Sequence, residues 1–155
     1  MNIALESSKA CQIEKLLGIA TEVFGDGYVK SIEIENTITI TLDNEIAGFG
    51  YYYLSDSFEG ILKMFAISKE YQGKGLGSRL LIEMENRLIS MGAKKLIVPA
   101  WRDCNGINIE KLLNKFGYRK NLEVFDYWRK DCDKGCFKCP SRTNKCNCSA
   151  VFFIK

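Results

Sequence analysis

The chain has 155 residues and a net charge of +3, with 22 Lys and Arg against 19 Asp and Glu and no histidine. That length fits a single domain over residues 1–155, and a hydrophobic fraction of 46% with 26% charged residues argues against disorder. Its positive charges are spread among acids rather than gathered on one face, so no nucleic-acid partner is expected; no run reaches the roughly 18 apolar residues of a membrane span and the start lacks a signal peptide's pattern, so a cytoplasmic protein with no membrane partner is expected.

In chain order, Ser7 or Ser8 can cap a helix running to about Phe24. Cys11, Ile13, Leu16, Leu17, Ala20, Val23 and Phe24 recur at helical spacing, and Gly25 follows. Between Ser31 and Leu42, isoleucines at every second position except 36 predict a half-buried strand or a bent pair of strands. Asp43-Asn44 marks a turn, and Ile46 to Leu54 reads as the next strand. Ile61 to Ile67 is apolar almost throughout, which predicts a central strand covered on both faces.

A glycine-rich turn follows, then a helix from about Gly77 to Met91 with Leu80, Leu81, Met84, Leu88 and Met91 as its core stripe and Gly92 as its stop. Leu96 to Val98 is a short strand that Pro99 is expected to end or distort. A helix over about Asn105 to Phe116 turns Ile109, Leu112, Leu113 and Phe116 inward and stops at Gly117. Tyr118 to Trp128 and Ala150 to Ile154 read as the last two strands. The pattern is a mixed α+β sheet covered by helices.

Strand, glycine turn and helix start together form a phosphate-binding recipe, because glycines admit close backbone approach and free N–H groups at the helix start face the anion. The glycines at 73, 75 and 77 fit neither the dinucleotide fingerprint nor the P-loop. In context, however, Ile67 through Leu81, with Gln72, Gly75 and Gly77, resembles the Q/R-x-x-G-x-G/A signature of the GNAT family of N-acetyltransferases. Gly92 to Val98 resembles that family's next strand, and Asn114-Lys115-Phe116-Gly117-Tyr118 its Lys-x-Gly-Phe/Tyr helix end.

The resemblance implies a mostly antiparallel sheet flanked by helices, acetyl-coenzyme A as cosubstrate, and transfer to a small amine or to a peptide or protein amine. It counts Gln72 among the cofactor-binding residues and places the pyrophosphate on backbone N–H groups from about Gly73 to Arg79, that is Gly73, Lys74, Gly75, Leu76, Gly77, Ser78 and Arg79, with Lys74 and Arg79 able to add charge. It places the pantetheine arm along the main chain of Phe65 and Ile67, where two strands splay apart near Pro99. Family members often carry a tyrosine at the position of Leu113 to protonate the leaving thiol; Tyr118 and Cys104 are substitutes to test. The family's asparagine at this helix start has two candidates, Asn105 and Asn108. For a base, Glu33, Glu35, Glu59, Asp103 and Asp126 are candidates by location, as is a water chain, and no catalytic residue is assigned.

Five of the seven cysteines fall between Cys132 and Cys148, spaced C-x3-C-x2-C-x6-C-x-C. Thiolates so spaced can hold one tetrahedral zinc, with Cys136, Cys139, Cys146 and Cys148 as ligands and Cys132 spare. Free or redox-active thiols, disulfides and an iron–sulfur cluster are the other readings. The segment, about residues 131–149, is expected as an enlarged loop between the last two strands, bordering the acceptor site. The rival to an enzyme is a non-catalytic module of the same fold whose cysteine loop binds a metal or partner or senses oxidants.

Overall fold

The computed structural model describes residues 1–25, 29, 31–128 and 148–155. Seven strands form one sheet in the order β1-β2-β3-β4-β5-β7-β6. They are β1 (Ile3–Ser7), β2 (Thr37–Leu42), β3 (Glu45–Leu54), β4 (Glu59–Ile67), β5 (Lys95–Arg102), β6 (Arg119–Phe125) and β7 (Ser149–Ile154). Helices α1 (Ile13–Phe24), α2 (Leu76–Ser90) and α3 (Glu110–Lys115) complete it. Neighbouring strands pair antiparallel except β4 and β5, which α2 joins as a parallel crossover.

Each element follows from its residues. On α1, Leu16, Ile19 and Ala20 are buried at helical spacing and pack with Phe49 and Ala66 on one face of the sheet. On α2, Leu76, Leu80, Leu81, Met84 and Leu88 are buried and pack on the opposite face with Ile38, Ile40, Leu62, Val98 and Phe153. Asp43 and Asn44 turn β2 into β3 with φ of 50° and 70°, the two positive values of a type I′ hairpin turn.

Several expectations are corrected. Ile3–Ser7 is a strand, so Ser7 does not cap α1; a 3-10 turn at Ala10–Gln12 leads into the helix, and Cys11 is exposed. Ile32 and Ile34 precede β2, with a 3-10 turn at Ile34–Asn36 between. Met91 lies past α2 and is exposed. The helix α3 begins at Glu110, five residues after Asn105, and β6 ends at Phe125, short of Trp128.

Pro99 neither ends β5 nor distorts it. Leu96 and Lys155 exchange both backbone hydrogen bonds, at 2.8 and 3.0 Å, so even-numbered residues of β5 bond to β7 and odd-numbered ones face β4. The β4 ladder stops at Ile61↔Ile97. The donor that Pro99 lacks therefore points into the gap between the strands, where no ladder bond is lost.

Candidate functional site

Two cavities meet at that gap. A trough of about 570 Å³ runs from Tyr71, Gln72, Gly73, Gly75, Leu76 and Gly77 past Phe65 to Ile67 of β4, with Leu112 of α3 opposite. A smaller cleft of about 150 Å³ continues it between Leu62 to Phe65 of β4 and Val98 to Trp101 of β5. Val23, Phe65, Asn108 and Ile109 line both.

The glycine turn forms the trough's head. Gly73 and Gly75 have φ of +76° and +78°, a left-handed backbone that side chains disfavour. A Cβ on either would meet nothing within 4 Å, so conformation and not crowding requires glycine at these two positions. Gly77 lies inside α2, and its added Cβ would find only Leu112 Cδ2, at 3.8 Å. Gly75 is the helix N-cap, with no side-chain cap. The first bond into the helix is Arg79 N–H to the Gly75 carbonyl, at 3.3 Å, which leaves the N–H groups of Leu76, Gly77 and Ser78 without intrahelical acceptors.

Neighbouring contacts fix the turn. The Gln72 side-chain amide donates to the Ile67 carbonyl at 2.8 Å. Glu22 of α1 accepts from the Ser68 hydroxyl at 2.8 Å and from the Lys69 backbone N–H at 3.3 Å. Lys74 is exposed, its ammonium 5.3 Å from the Tyr71 ring centroid, and Arg79 is exposed on the helix. Leu76 is buried, so only its main chain faces the trough.

Along β4 the backbone is directed by register. Ser68 N–H bonds to the Ala47 carbonyl of β3 at 2.9 Å, so by alternation the N–H groups of Ile67 and Phe65 point away from β3, toward the gap that β5 has left. A bulge sits farther back: Tyr51 pairs with Met64 and Tyr52 with Leu62, leaving Lys63 without a partner. The extra residue reverses the side-chain parity. Leu62, Phe65 and Ile67 thus join the α2 face, and Met64 and Ala66 the α1 face.

The proton-handling candidates fall elsewhere. Leu113 is fully buried. Tyr118 is buried as well, beside Glu85 and Lys155, and burial first, then the Glu85 carboxylate, pushes its phenol well above the usual range. Cys104 is exposed, and neither it nor Tyr118 lines the cavities. None of the five candidate carboxylates lines them either. Glu59 pairs with Lys95 at 2.9 Å, and Asp103 accepts from the Asn105 backbone at 2.7 Å. Glu33 accepts from the Tyr51 hydroxyl at 3.0 Å. Burial, followed by that bond, pushes the Tyr51 phenol up to about 12.

Of the two asparagines, Asn108 lines both cavities and Asn105 lines neither. The sequence reading missed Val23, Phe24, Trp101, Ile109 and Trp128, all lining residues of the cleft. One available signal was that Trp101 and Trp128 are the chain's two tryptophans. Cys136, Cys139 and Cys146 lie outside the described residues, while Cys148 is buried just before β7. Among the described residues no group of three or more Cys, Asp or Glu side chains is arranged to hold a metal, and no helix is long and apolar enough to cross a membrane.

Compared with known proteins, residues 15–118 match the sequence model of the acetyltransferase (GNAT) family. No curated protein sequence matches the chain significantly. Among solved structures, an IAA acetyltransferase from Bacillus cereus superposes with a TM-score of 0.76 at 16% identity, covering 99% of this chain and 98% of that one. A putative streptothricin acetyltransferase from Bacillus anthracis, solved with acetyl-coenzyme A, gives 0.73 at 11% identity over 99% and 98%. The ribosomal-protein-alanine N-acetyltransferase of Escherichia coli gives 0.72 at 15% over 99% and 92%.

Proposed function

Because the chain belongs to the acetyltransferase (GNAT) family, and so is an acyl-coenzyme A N-acyltransferase, we propose that it moves the acetyl group of acetyl-coenzyme A directly onto an amine within a ternary complex. The observation that carries this reading is the continuity of the trough and the cleft: an uncapped helix start at one end leads along an unpaired strand edge to a second compartment. A module that only held partners would have no need of that second compartment. The pyrophosphate lies on the N–H groups from Gly73 to Ser78, with the Arg79 N–H held by the Gly75 carbonyl, and the pantetheine arm extends as an added strand on Phe65 and Ile67. Asn108, where the two cavities meet, faces the arm from the other side.

In the transfer, the amine nitrogen bonds to the thioester carbon and the carbon–sulfur bond breaks. The nitrogen gives up a proton and the leaving thiolate takes one. A backbone N–H of β4 beyond the bulge polarises the carbonyl, which needs no side chain. With Leu113 in the core and Tyr118 turned to Glu85, water carries both protons. The acceptor is a small amine or a peptide or protein amine.

Cys136, Cys139, Cys146 and Cys148 are proposed as the ligands of a structural zinc, on the strength of their spacing. The cysteine-rich segment then stands as a loop between β6 and β7 at the acceptor side. Its flanks support that position, since Trp128 lines the cleft and its indole N–H donates to the Ser149 carbonyl at 3.0 Å.

Native mass spectrometry of the whole chain with acetyl-coenzyme A tests both. One ligand mass is expected, lost in Gly75→Glu, which sets a negative charge against the phosphates. Normal binding by that variant would displace the phosphate site. A zinc mass is expected in protein purified without added metal; a metal-free mass with Cys136, Cys139 and Cys146 open to alkylation would remove the zinc.

A further inference from the structure

Resting on the transfer reading, we propose that the acceptor is a monoamine that bears one aromatic ring on its alkyl chain, and that it binds with its amine uncharged. The cleft beyond the trough is walled by Phe24, Leu62, Met64, Pro99, Trp101 and Trp128. Its volume of about 150 Å³ is of the size that admits a single benzene ring in an apolar cavity. Its aromatic wall is held in place: Trp128 donates to Ser149 O at 3.0 Å. The Tyr127 ring packs edge-on against Trp128 and against Phe152, at centroid distances of 4.7 and 5.5 Å.

Charge points the same way. Among the described residues lining the cleft there is no Asp or Glu, and the one charged side chain is Lys63, at the bulge. The described lining offers an entering ammonium no anion in exchange for its water, and the Lys63 cation would further disfavour it. A polyamine or a lysine-rich peptide, which needs carboxylates to hold its other charges, fits poorly. A neutral amine on an apolar body fits: its ammonium proton is lost to solvent before it binds, so no base in the cleft has to remove it. The second proton, released when the nitrogen is acylated, passes through water to the leaving thiolate.

The test compares 2-phenylethylamine, a phenylalanyl peptide amide and spermidine as acceptors, following coenzyme A release, with acetyl-coenzyme A binding measured in parallel. Either aromatic amine should exceed spermidine in kcat/KM by about tenfold or more, the worth of burying one ring. The ratio of the two aromatic amines tells a free amine from a peptide N-terminus. For ring-substituted benzylamines, kcat/KM should rise with pH up to each amine's own pKa. Lys63→Glu should shift preference toward spermidine while acetyl-coenzyme A still binds. Spermidine equal to or better than the aromatic amines in the wild-type protein, or a pH profile that ignores the amine's pKa, would overturn the inference and leave acetyl transfer standing. Failure to bind acetyl-coenzyme A would overturn both.

Discussion

At the scale of single residues, the three glycines of the turn are not equivalent. Gly75 caps α2 at φ +78° in open space, whereas Gly77 has helical neighbours and room for a methyl group. Gly75→Ala forces a side chain into the left-handed region, at about 1–2 kcal/mol, and relaxation of the turn misdirects the N–H groups that face the anion. Gly77→Ala removes backbone freedom from the unfolded chain and gains about 0.4–1 kcal/mol. Calorimetric titration with acetyl-coenzyme A together with thermal melts separates them. Gly75→Ala should lose both affinity and stability, while Gly77→Ala should keep affinity and melt higher. Equal losses in the two would mean that close approach to the phosphate, and not backbone conformation, sets the need for glycine.

At the scale of elements, Pro99 shows what a ladder tolerates. Its nitrogen faces the gap, but Ala100 bonds to β7 opposite Val151. Pro99→Ala should therefore leave the melting temperature nearly unchanged, while Ala100→Pro removes a ladder bond and leaves a buried acceptor unpaired, at about 1–3 kcal/mol; a large loss in Pro99→Ala would refute the splay. The same element marks the limit of what the sequence could tell. Proline reads as a strand breaker when strand neighbours are unknown, because the side on which an N–H is needed depends on register. β1 was missed for a related reason: Ile3–Ser7 is five residues long and its pairing partner, Thr37–Leu42, lies far along the chain. The cofactor end of the site was legible because the glycines, the capless helix start and the preceding strand are consecutive. The cleft was not, since Phe24, Leu62, Trp101 and Trp128 come from four separate segments and meet only through sheet order.

At the scale of the whole molecule, the gap raises the question of whether the sheet behaves as one body. β4 and β5 share three registered pairs, Glu59↔Lys95 to Ile61↔Ile97, so the ladder alone joins β1 to β4 weakly with β5, β7 and β6. The core does more. A single apolar cluster under α2 takes Ile38, Ile40 and Leu62 from one half and Val98, Val151 and Phe153 from the other. Lys155, just after β7, reaches Glu85 of α2 at 3.1 Å. Burial spanning the gap makes unfolding one cooperative event. A cofactor seated between β4 and α3 then stabilises both halves, by about 2.7 kcal/mol at a hundred times its dissociation constant. For a chain of this length that is a rise of about 5–10 °C in Tm. Both tryptophans sit beyond the gap, in β5 and after β6, so their fluorescence follows one half while far-UV circular dichroism follows all of it. The two melts should coincide and move together when acetyl-coenzyme A is added. A tryptophan transition that comes first, and alone responds to the ligand, would mean that the halves fold separately and that the cofactor, not the core, joins them.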